Sequence, residues 1–194
     1  TLTAPSGPSQ ARLLRAALAN AGVLSEAMLE AHGTGTSLGD PVEMGALHTA
    51  IIKPRCHHDT LAISSIKAVA GHAEPCAGGT GLLKLALGLS AGKAAPNAQL
   101  RLLNPHVGDT LRGVAGALSV QLAALTMGSG GVSSFGYSGT IAHAVLRHAG
   151  GDGALAASLA TLVYRRHAFP WRESLHPFVP VSYTHLRAHE TVLE

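Results

Sequence analysis

Between Gly113 and Leu146 the sequence contains no Asp, Glu, Lys or Arg. A long uncharged segment is typical either of a membrane span or of the interior of a folded domain. Glycines, serines and Gln121 interrupt the segment, so that no apolar run approaches the ~20 residues that a spanning helix requires. We therefore expect buried β-strands joined by glycine turns, and no contact with a membrane.

The composition favours one folded domain. Hydrophobic residues make up 46% and charged residues 13% of the 194 residues, unlike the polar composition of disordered chains. The net charge of +3 comes from scattered basic residues, which gives no indication of nucleic-acid binding. The two cysteines lie in unrelated contexts, so neither a disulfide framework nor a Cys-x-x-Cys metal site is expected, and a reducing compartment, the cytoplasm, is predicted.

Apolar spacing and capping residues predict two helices and two strands in the N-terminal part of the chain. Helical periodicity predicts an amphipathic helix from Pro8 to Ala21, stopped by Gly22. A second helix is expected to start at Asp40 as its cap, with Pro41 in its first turn and Glu43 ordering the helix start. Short strands are predicted at Met28–Ala31 and Leu61–Ile66.

A strongly apolar helix dominates the second half of the chain. The segment from Ala77 to Ala91 is apolar almost all round and is expected to pack in the middle of the protein. Residues 92–112 are predicted to form a long connection containing Asn104-Pro105. Strands are expected near 131–136 and 140–147, with another near 117–123.

Two motifs place histidines on loops that follow predicted strands. The first is Glu30-Ala31-His32-Gly33-Thr34-Gly35-Thr36, followed by Gly39-Asp40-Pro41-Val42-Glu43. The second combines Ser65-Ile66-Lys67 with Gly71-His72. Such loops can direct a side chain into a cleft, although a tight turn with a structural histidine, or a surface lysine with a helix-capping histidine, fits each motif taken alone.

The third motif is glycine-rich. It runs Gly131-Val132-Ser133-Ser134-Phe135-Gly136-Tyr137-Ser138-Gly139-Thr140-Ile141-Ala142-His143. Alone it is compatible with an ordinary β-hairpin, in which His143 is a structural residue.

Together, in this order and spacing, the three motifs resemble the ketosynthase (β-ketoacyl synthase) domain of type I polyketide synthases. That family has EAHGTGT-x-LGDP-[IV]-E, then K-x-x-x-GH, then G-[VI]-SSFG-x-SGTNAH. The resemblance covers residues 1–148 and corresponds to the C-terminal half of the domain. It implies an α/β, thiolase-like fold, with a mixed β-sheet and helices on both faces, that is incomplete without the N-terminal half.

The resemblance also implies an acyltransferase that performs a decarboxylative Claisen condensation in polyketide biosynthesis. A malonyl-type extender on an acyl carrier protein loses carbon dioxide, and the carbanion attacks an acyl thioester on the enzyme. The catalytic residues implied are His32 and His72, as paired N–H donors to the developing enolate, and Lys67, which supports the second histidine and the local field.

Substrate-binding residues are implied in the same way. Thr34 and Thr36 match residues that hydrogen-bond the pantetheine arm. Phe135, Gly136 and Tyr137 match a gating loop, where the backbone N–H of Tyr137 faces the acyl oxyanion. No cofactor is expected to bind this chain, because the substrate arrives on the phosphopantetheine of an acyl carrier protein. The expected partners are that carrier protein, the N-terminal half of the ketosynthase, and a second copy in a homodimer.

Several positions depart from the family pattern. Neither Cys56, in a polar loop with His57, His58 and Asp59, nor Cys76 resembles the nucleophile elbow of the family, so this segment alone is expected to be inactive. Adjacent ligands such as those around Cys56 rarely fit one tetrahedron, and no metal site is expected. Val69 and Ile141 stand where the family has Asn, which leaves hydrogen-bonding partners unpaired or rearranged.

The C-terminal region differs in character. Residues 149–179 resemble the linker that follows a ketosynthase, with an aromatic segment at 164–178. Residues 180–191 resemble one reading frame of a sequencing adapter, so 180–194 are interpreted as a foreign or disordered tail.

Three functions remain open on sequence grounds. The first is the polyketide ketosynthase. The second is the condensing domain of a fatty-acid synthase, which the same motifs fit, and the third is a non-catalytic, ketosynthase-like scaffold partner. A histidine-rich metal-binding protein is a distant fourth.

Overall fold

The computed structural model describes residues 4–55, 60–98, 100–125 and 128–148. Within these ranges no helix is long and apolar enough to cross a membrane. The elements, in chain order, are α1 Gly7–Ala21, β1 Met28–Glu30, α2 Gly39–Leu47, a π-helical turn His48–Ile52, β2 Leu61–Ser64, α3 Lys67–Ala70, a 3-10 turn Glu74–Cys76, α4 Ala77–Ala91, β3 Lys93–Ala94, α5 Pro105–Leu111, β4 Gly116–Leu118, β5 Ala123–Ala124, β6 Ser129–Phe135 and β7 Ile141–Arg147.

Helix α1 follows the capping signals of its sequence. The Ser6 hydroxyl accepts the N–H of Ser9 at the helix start, and Pro8 lies in the first turn. Gly22 ends the helix in the left-handed conformation, with φ of 61°. The predicted helix from Pro8 to Ala21 is confirmed.

The main sheet of the described residues has five strands in the order β4-β2-β1-β6-β7. Strand β1 lies at its centre and pairs in parallel with β2 and β6, while β4 pairs in parallel with β2. Among these five described strands, only β6 and β7 pair antiparallel, with Ser133 opposite His143. The sheet is therefore mixed, as predicted.

Alternate residues of the central strands face opposite sides of the sheet. Leu29, Leu61 and Ile63 join a core cluster with residues of α1, α2 and α5. Met28 and Ala62 join a second cluster with residues of α4. The two clusters lie on opposite faces, which confirms helices on both faces and the expected α/β architecture.

The segment 92–112 was wrongly predicted to be only a connection. It contains β3, which pairs antiparallel with β5 in a separate two-stranded sheet, and helix α5. The Asn104 side chain accepts the N–H of His106 at 3.0 Å, and Pro105 occupies the first helical position. The Asn-Pro pair thus starts a helix, because proline preorganises its first turn.

Helix α4 has the predicted bounds but is not buried all round. Leu85 and Leu89 are buried against the sheet, whereas Leu83 and Leu87 are 65% and 71% exposed. Leu82, also exposed, lies beside them, so one face of the helix is apolar and open. An exposed apolar face of this kind favours association.

We predict that residues 1–148 expressed alone aggregate or bind a hydrophobic dye, because the α4 face lacks a covering partner within the described residues. Replacing Leu83 and Leu87 by Lys should reduce both effects, while the same change at the isolated, exposed Leu24 should not. Dye fluorescence and light scattering measure this. A monomeric, dye-free fragment with a sharp thermal transition would contradict the prediction.

Candidate active site

Three parallel strands deliver the motif residues to one edge of the sheet. His32 follows β1, Lys67 and His72 follow β2, and Phe135 ends β6. The rings of His32 and His72 are perpendicular, with centroids 5.9 Å apart. The Phe135 ring lies 5.3 Å from that of His32. The structure therefore brings together both predicted histidines and the start of the predicted gating loop.

Both histidines accept a backbone N–H at Nδ1. Phe135 donates to His32 Nδ1 at 3.3 Å, and Glu74 donates to His72 Nδ1 at 3.2 Å. A ring nitrogen that accepts a hydrogen bond carries no proton, so the proton of each neutral imidazole lies on Nε2. The two side chains thus form a pair of Nε2–H donors.

The donor to His72 depends on an unusual backbone conformation. Glu74 has φ of 34°, and it alone among the described non-glycine residues has a positive φ. Such a conformation carries strain and is retained where the surrounding structure fixes it. Here it turns the Glu74 N–H onto the histidine ring, a role that no sequence pattern indicated.

The charge state of His32 follows from its surroundings. Burial, together with the nearby Lys67 and His72, lowers the pKa of His32 to about 4. The imidazole is therefore neutral near pH 7, as the Nε2–H donor form requires.

Glu43 holds the His32 loop. Its carboxylate accepts the N–H of His32 at 2.7 Å and that of Gly33 at 2.9 Å. The prediction that Glu43 orders its own helix start is therefore wrong: the side chain lies in the interior and reaches from α2 to the loop. Burial raises the pKa of Glu43 to about 7, although the two backbone donors oppose this rise.

The predicted cap of α2 is also different. The Asp40 carboxylate accepts the N–H of Gly35 at 3.1 Å instead of capping the helix. The hydroxyl of Thr36 accepts the Gly39 N–H at 3.1 Å and is itself 3.4 Å from the Thr34 hydroxyl. The threonine motif therefore organises the loop as well as lining the site.

Two cavities meet at this edge. One of about 410 Å³ is lined by His32, Thr36, Phe135, Gly136 and Tyr137, and another of about 720 Å³ is lined by residues that include Lys67. Both are lined by Thr34, Glu43 and His72. All eight predicted site residues thus line one cavity or the other.

Lys67 occupies the start of α3, on the side of the larger cavity. Burial lowers its pKa, while the carboxylates of Glu43, Glu30 and Asp40 raise it. The amine therefore lies in a local field to which acidic residues of two segments, β1 and α2, contribute.

The backbone N–H groups of the turn after β6 are only partly used in hydrogen bonds within the described residues. The Gly136 N–H donates to Thr140 O at 2.7 Å, and that of Phe135 donates to His32. Within the part of the chain that the structure describes, the Tyr137 N–H takes part in no hydrogen bond. The Tyr137 side chain is 84% exposed and lines the smaller cavity.

The positions that depart from the family pattern have separate environments. Ile141 lines the smaller cavity, whereas Val69 is 58% exposed on α3. Cys76 is an exposed thiol at the start of α4. The Cys56 loop, the linker at 149–179 and the tail at 180–194 lie outside the described residues.

His143 lies on β7, opposite Ser133 of β6, and lines neither cavity. Its Nδ1 is 3.0 Å from the Ser133 hydroxyl, and its Nε2 is 3.6 Å from the carboxylate of Glu26. The side chains of His143 and Glu26 are fully buried. These contacts are consistent with the structural role expected for this histidine.

Comparison with known proteins defines the class. Residues 1–101 match the C-terminal domain of β-ketoacyl synthases. Because this match covers about half of the sequence, the chain belongs to the β-ketoacyl synthase family. An oxazolomycin ketosynthase domain from Streptomyces albus is 33% identical with a TM-score of 0.70, and the match covers 76% of this chain and 27% of that one.

The curated relatives narrow the resemblance to polyketide synthases, which confirms the sequence prediction. The chain is 42% identical over 76% of its length to the spectinabilin polyketide synthase system protein NorA' of Streptomyces orinoci. It is 39% identical over 84% of its length to one subunit of the phenolphthiocerol/phthiocerol polyketide synthase of Mycobacterium tuberculosis. These matches cover only 4% and 9% of the two relatives.

We predict that Glu43→Gln destabilises the ketosynthase domain that contains this chain, because an amide NH₂ would face a backbone N–H. The expected loss is about 1–3 kcal/mol at pH 5, measured by chemical or thermal unfolding. The folded-state pKa of about 7 lies above the ordinary value of 4.5. The contribution of Glu43 to the stability of the folded state is therefore complete below pH 4.5, and it is lost as the pH rises through 7.

The difference in the free energy of unfolding between the wild type and Glu43→Gln should accordingly become smaller from pH 5 to pH 8. His32 titrates in both proteins, so its contribution cancels in this difference. Asp109→Asn, at an exposed position, is the matched control and should change little. An unchanged free energy of unfolding of Glu43→Gln at pH 5 would contradict the role of this carboxyl group in holding the loop.

Proposed function

We propose that this chain supplies the malonyl-handling part of the active site of a polyketide synthase ketosynthase. The observation that carries the proposal is the pair of Nε2–H donors on His32 and His72. Both rings are held by backbone N–H groups at Nδ1, which fixes the protons on the side away from those contacts. Two neutral donors suit a reaction in which negative charge develops on one oxygen atom.

The reaction is a decarboxylative condensation. The bond between the malonyl α-carbon and its carboxylate breaks, carbon dioxide leaves, and the electron pair moves into the thioester carbonyl to form an enolate. His32 and His72 donate hydrogen bonds to this enolate oxygen. The α-carbon then attacks an enzyme-bound acyl thioester, a carbon–carbon bond forms, and the enzyme thiolate leaves.

The acyl half of the reaction needs a second oxyanion site. The free N–H of Tyr137, on the turn that lines the smaller cavity, is the donor we assign to the acyl thioester oxygen. Phe135 and Gly136 form the moving part of the gate in this proposal. The Phe135 N–H to His32 contact then couples the gate to the first histidine.

The substrate arm is assigned to the threonine loop. Thr34 and Thr36 present hydroxyl groups at the cavity lining, where they suit the amide and hydroxyl groups of phosphopantetheine. The proposed partners are an acyl carrier protein that bears this arm, the rest of the ketosynthase, and a second copy of the domain.

Lys67 is proposed to support His72 and the field around it. Burial lowers the pKa of its amine, and the Glu43, Glu30 and Asp40 carboxylates oppose this fall. No nucleophile is assigned to Cys76, an exposed residue at the start of a helix. We propose that the acylated cysteine comes from outside this chain and that the chain alone is inactive.

The names of the relatives favour a polyketide synthase over a fatty-acid synthase, because each curated match described above is a polyketide synthase. A non-catalytic partner remains the contrasting function. A non-catalytic partner does not need two histidines held in the same tautomer, whereas a condensing enzyme needs both as hydrogen-bond donors.

The test uses the complete ketosynthase domain. His32→Ala and His72→Ala are expected to slow malonyl decarboxylation by roughly 100- to 1,000-fold, since each removes one oxyanion donor. Self-acylation of the enzyme thiol should remain within a few-fold of wild type. Arg112→Ala, which removes an exposed ion pair with Asp109, is the control. Unchanged decarboxylation in both histidine variants would contradict the proposal.

A further inference from the structure

Glu30 and Lys84 form an interior ion pair that the proposed reaction does not use. Glu30 is the last residue of β1 and is fully buried, and Lys84 lies on α4 with a side chain that is 10% exposed. The Lys84 Nζ lies 2.6 Å from Glu30 Oε2. Burying two charges is costly, and a buried pair is weak evidence of added stability, which raises the question of its role.

The pair belongs to a closed hydrogen-bond network. Lys84 Nζ also donates to the Ser64 hydroxyl at 2.8 Å, and this hydroxyl donates to Glu30 Oε2 at 2.9 Å. The second carboxylate oxygen, Oε1, accepts the backbone N–H of Ile66. Lys84 and Ser64 therefore fix one oxygen of Glu30 and leave the other to hold the chain just beyond β2.

The held residue is the one that precedes Lys67. Ile66 is the first residue after the Ser64-Ser65 strand end, and its carbonyl accepts the N–H groups of Val69 and Ala70 as α3 begins. Fixing its N–H thus fixes the start of the short segment that carries Lys67 and leads to His72. Burial lowers the pKa of Lys67; the Glu30 carboxylate opposes this fall, and the Lys84 amine adds to it.

Helix α4 packs closely against the Glu30 side chain at Gly81. Gly81, one turn before Lys84 on α4, lies so close that a Cβ there would approach Glu30 Cγ at 3.3 Å and Val132 Cγ2 at 3.2 Å. The absence of a side chain at this position therefore lets α4 come near enough for Lys84 to reach Glu30.

We infer that Glu30 and Lys84 are positioning residues for the malonyl half of the reaction, acting through the Ile66 N–H on the segment that carries Lys67 and His72. This inference rests on the proposed function and extends it to two residues that touch no substrate. The pair matters more for decarboxylation than for acylation of the enzyme thiol. The Tyr137 turn, which we assign to the acyl thioester, follows β6, whereas the Ile66 segment follows β2.

The experiment compares two double variants in the complete ketosynthase domain. Glu30→Leu with Lys84→Met removes both charges and the acceptor of Ile66, without leaving a lone buried charge. Glu30→Gln with Lys84→Met removes the same charges but keeps an amide oxygen for the Ile66 N–H. Decarboxylation, self-acylation and thermal unfolding are measured for each, with Arg112→Met as the surface control.

The Leu/Met variant is expected to lose on the order of 10- to 100-fold in decarboxylation, as small displacements near a reacting centre do, with self-acylation kept within a few-fold. The Gln/Met variant should recover decarboxylation to within a few-fold of wild type. Equal decarboxylation in the two double variants, or an equal loss of both half-reactions in the Leu/Met variant, would overturn the inference.

Ile66→Pro provides a second route if the Leu/Met variant does not fold. Ile66 has φ of −58°, which suits proline, so the change deletes the N–H donor and leaves Glu30 and Lys84 in place. The same selective loss of decarboxylation is expected, and wild-type decarboxylation would overturn the inference. If His32→Ala and His72→Ala abolish decarboxylation while these variants do not, the inference fails and the proposed function stands.

Discussion

The parallel pairing of β1 with its two neighbours is the constraint on which the rest of the site depends. Because β1, β2 and β6 run in the same direction, the residues that follow them meet at one edge of the sheet. His32, His72 and Phe135 are brought together in this way, although Phe135 is distant from the histidines in sequence. Backbone donors then orient the two imidazoles: Phe135 of β6 for His32, and Glu74 of its own segment for His72.

Much of this arrangement was predictable from local sequence patterns. Helical periodicity and a glycine stop predicted α1, an almost wholly apolar segment predicted α4, and apolar runs bounded by turn residues predicted the strands. The motif residues were correctly placed after strands, where loops carry functional side chains. The connection at 92–112 was the main error, because Asn104-Pro105 was interpreted as part of a loop although the same pair is suited to start a helix.

Interactions between distant segments could not be predicted in the same way. Glu43 and Asp40 lie in a typical helix-start pattern, yet their carboxylates bind backbone N–H groups of the preceding loop. A charge such as Lys84 within an apolar helix gives no sign of its partner, because Glu30 lies on a distant strand. The sequence of α4 also does not show which face is exposed, because the helix is apolar almost all round. Polar groups that satisfy one another across the core become evident only in three dimensions.

The central claim is that both active-site histidines are neutral Nε2–H donors. Neutron diffraction from a deuterium-exchanged crystal of the complete ketosynthase domain near pH 7 tests it most directly, since deuterium positions are observed and not inferred. We expect deuterium on Nε2 and none on Nδ1 of both His32 and His72. Deuterium on Nδ1 of either ring, or on both nitrogens of His32, would contradict the account.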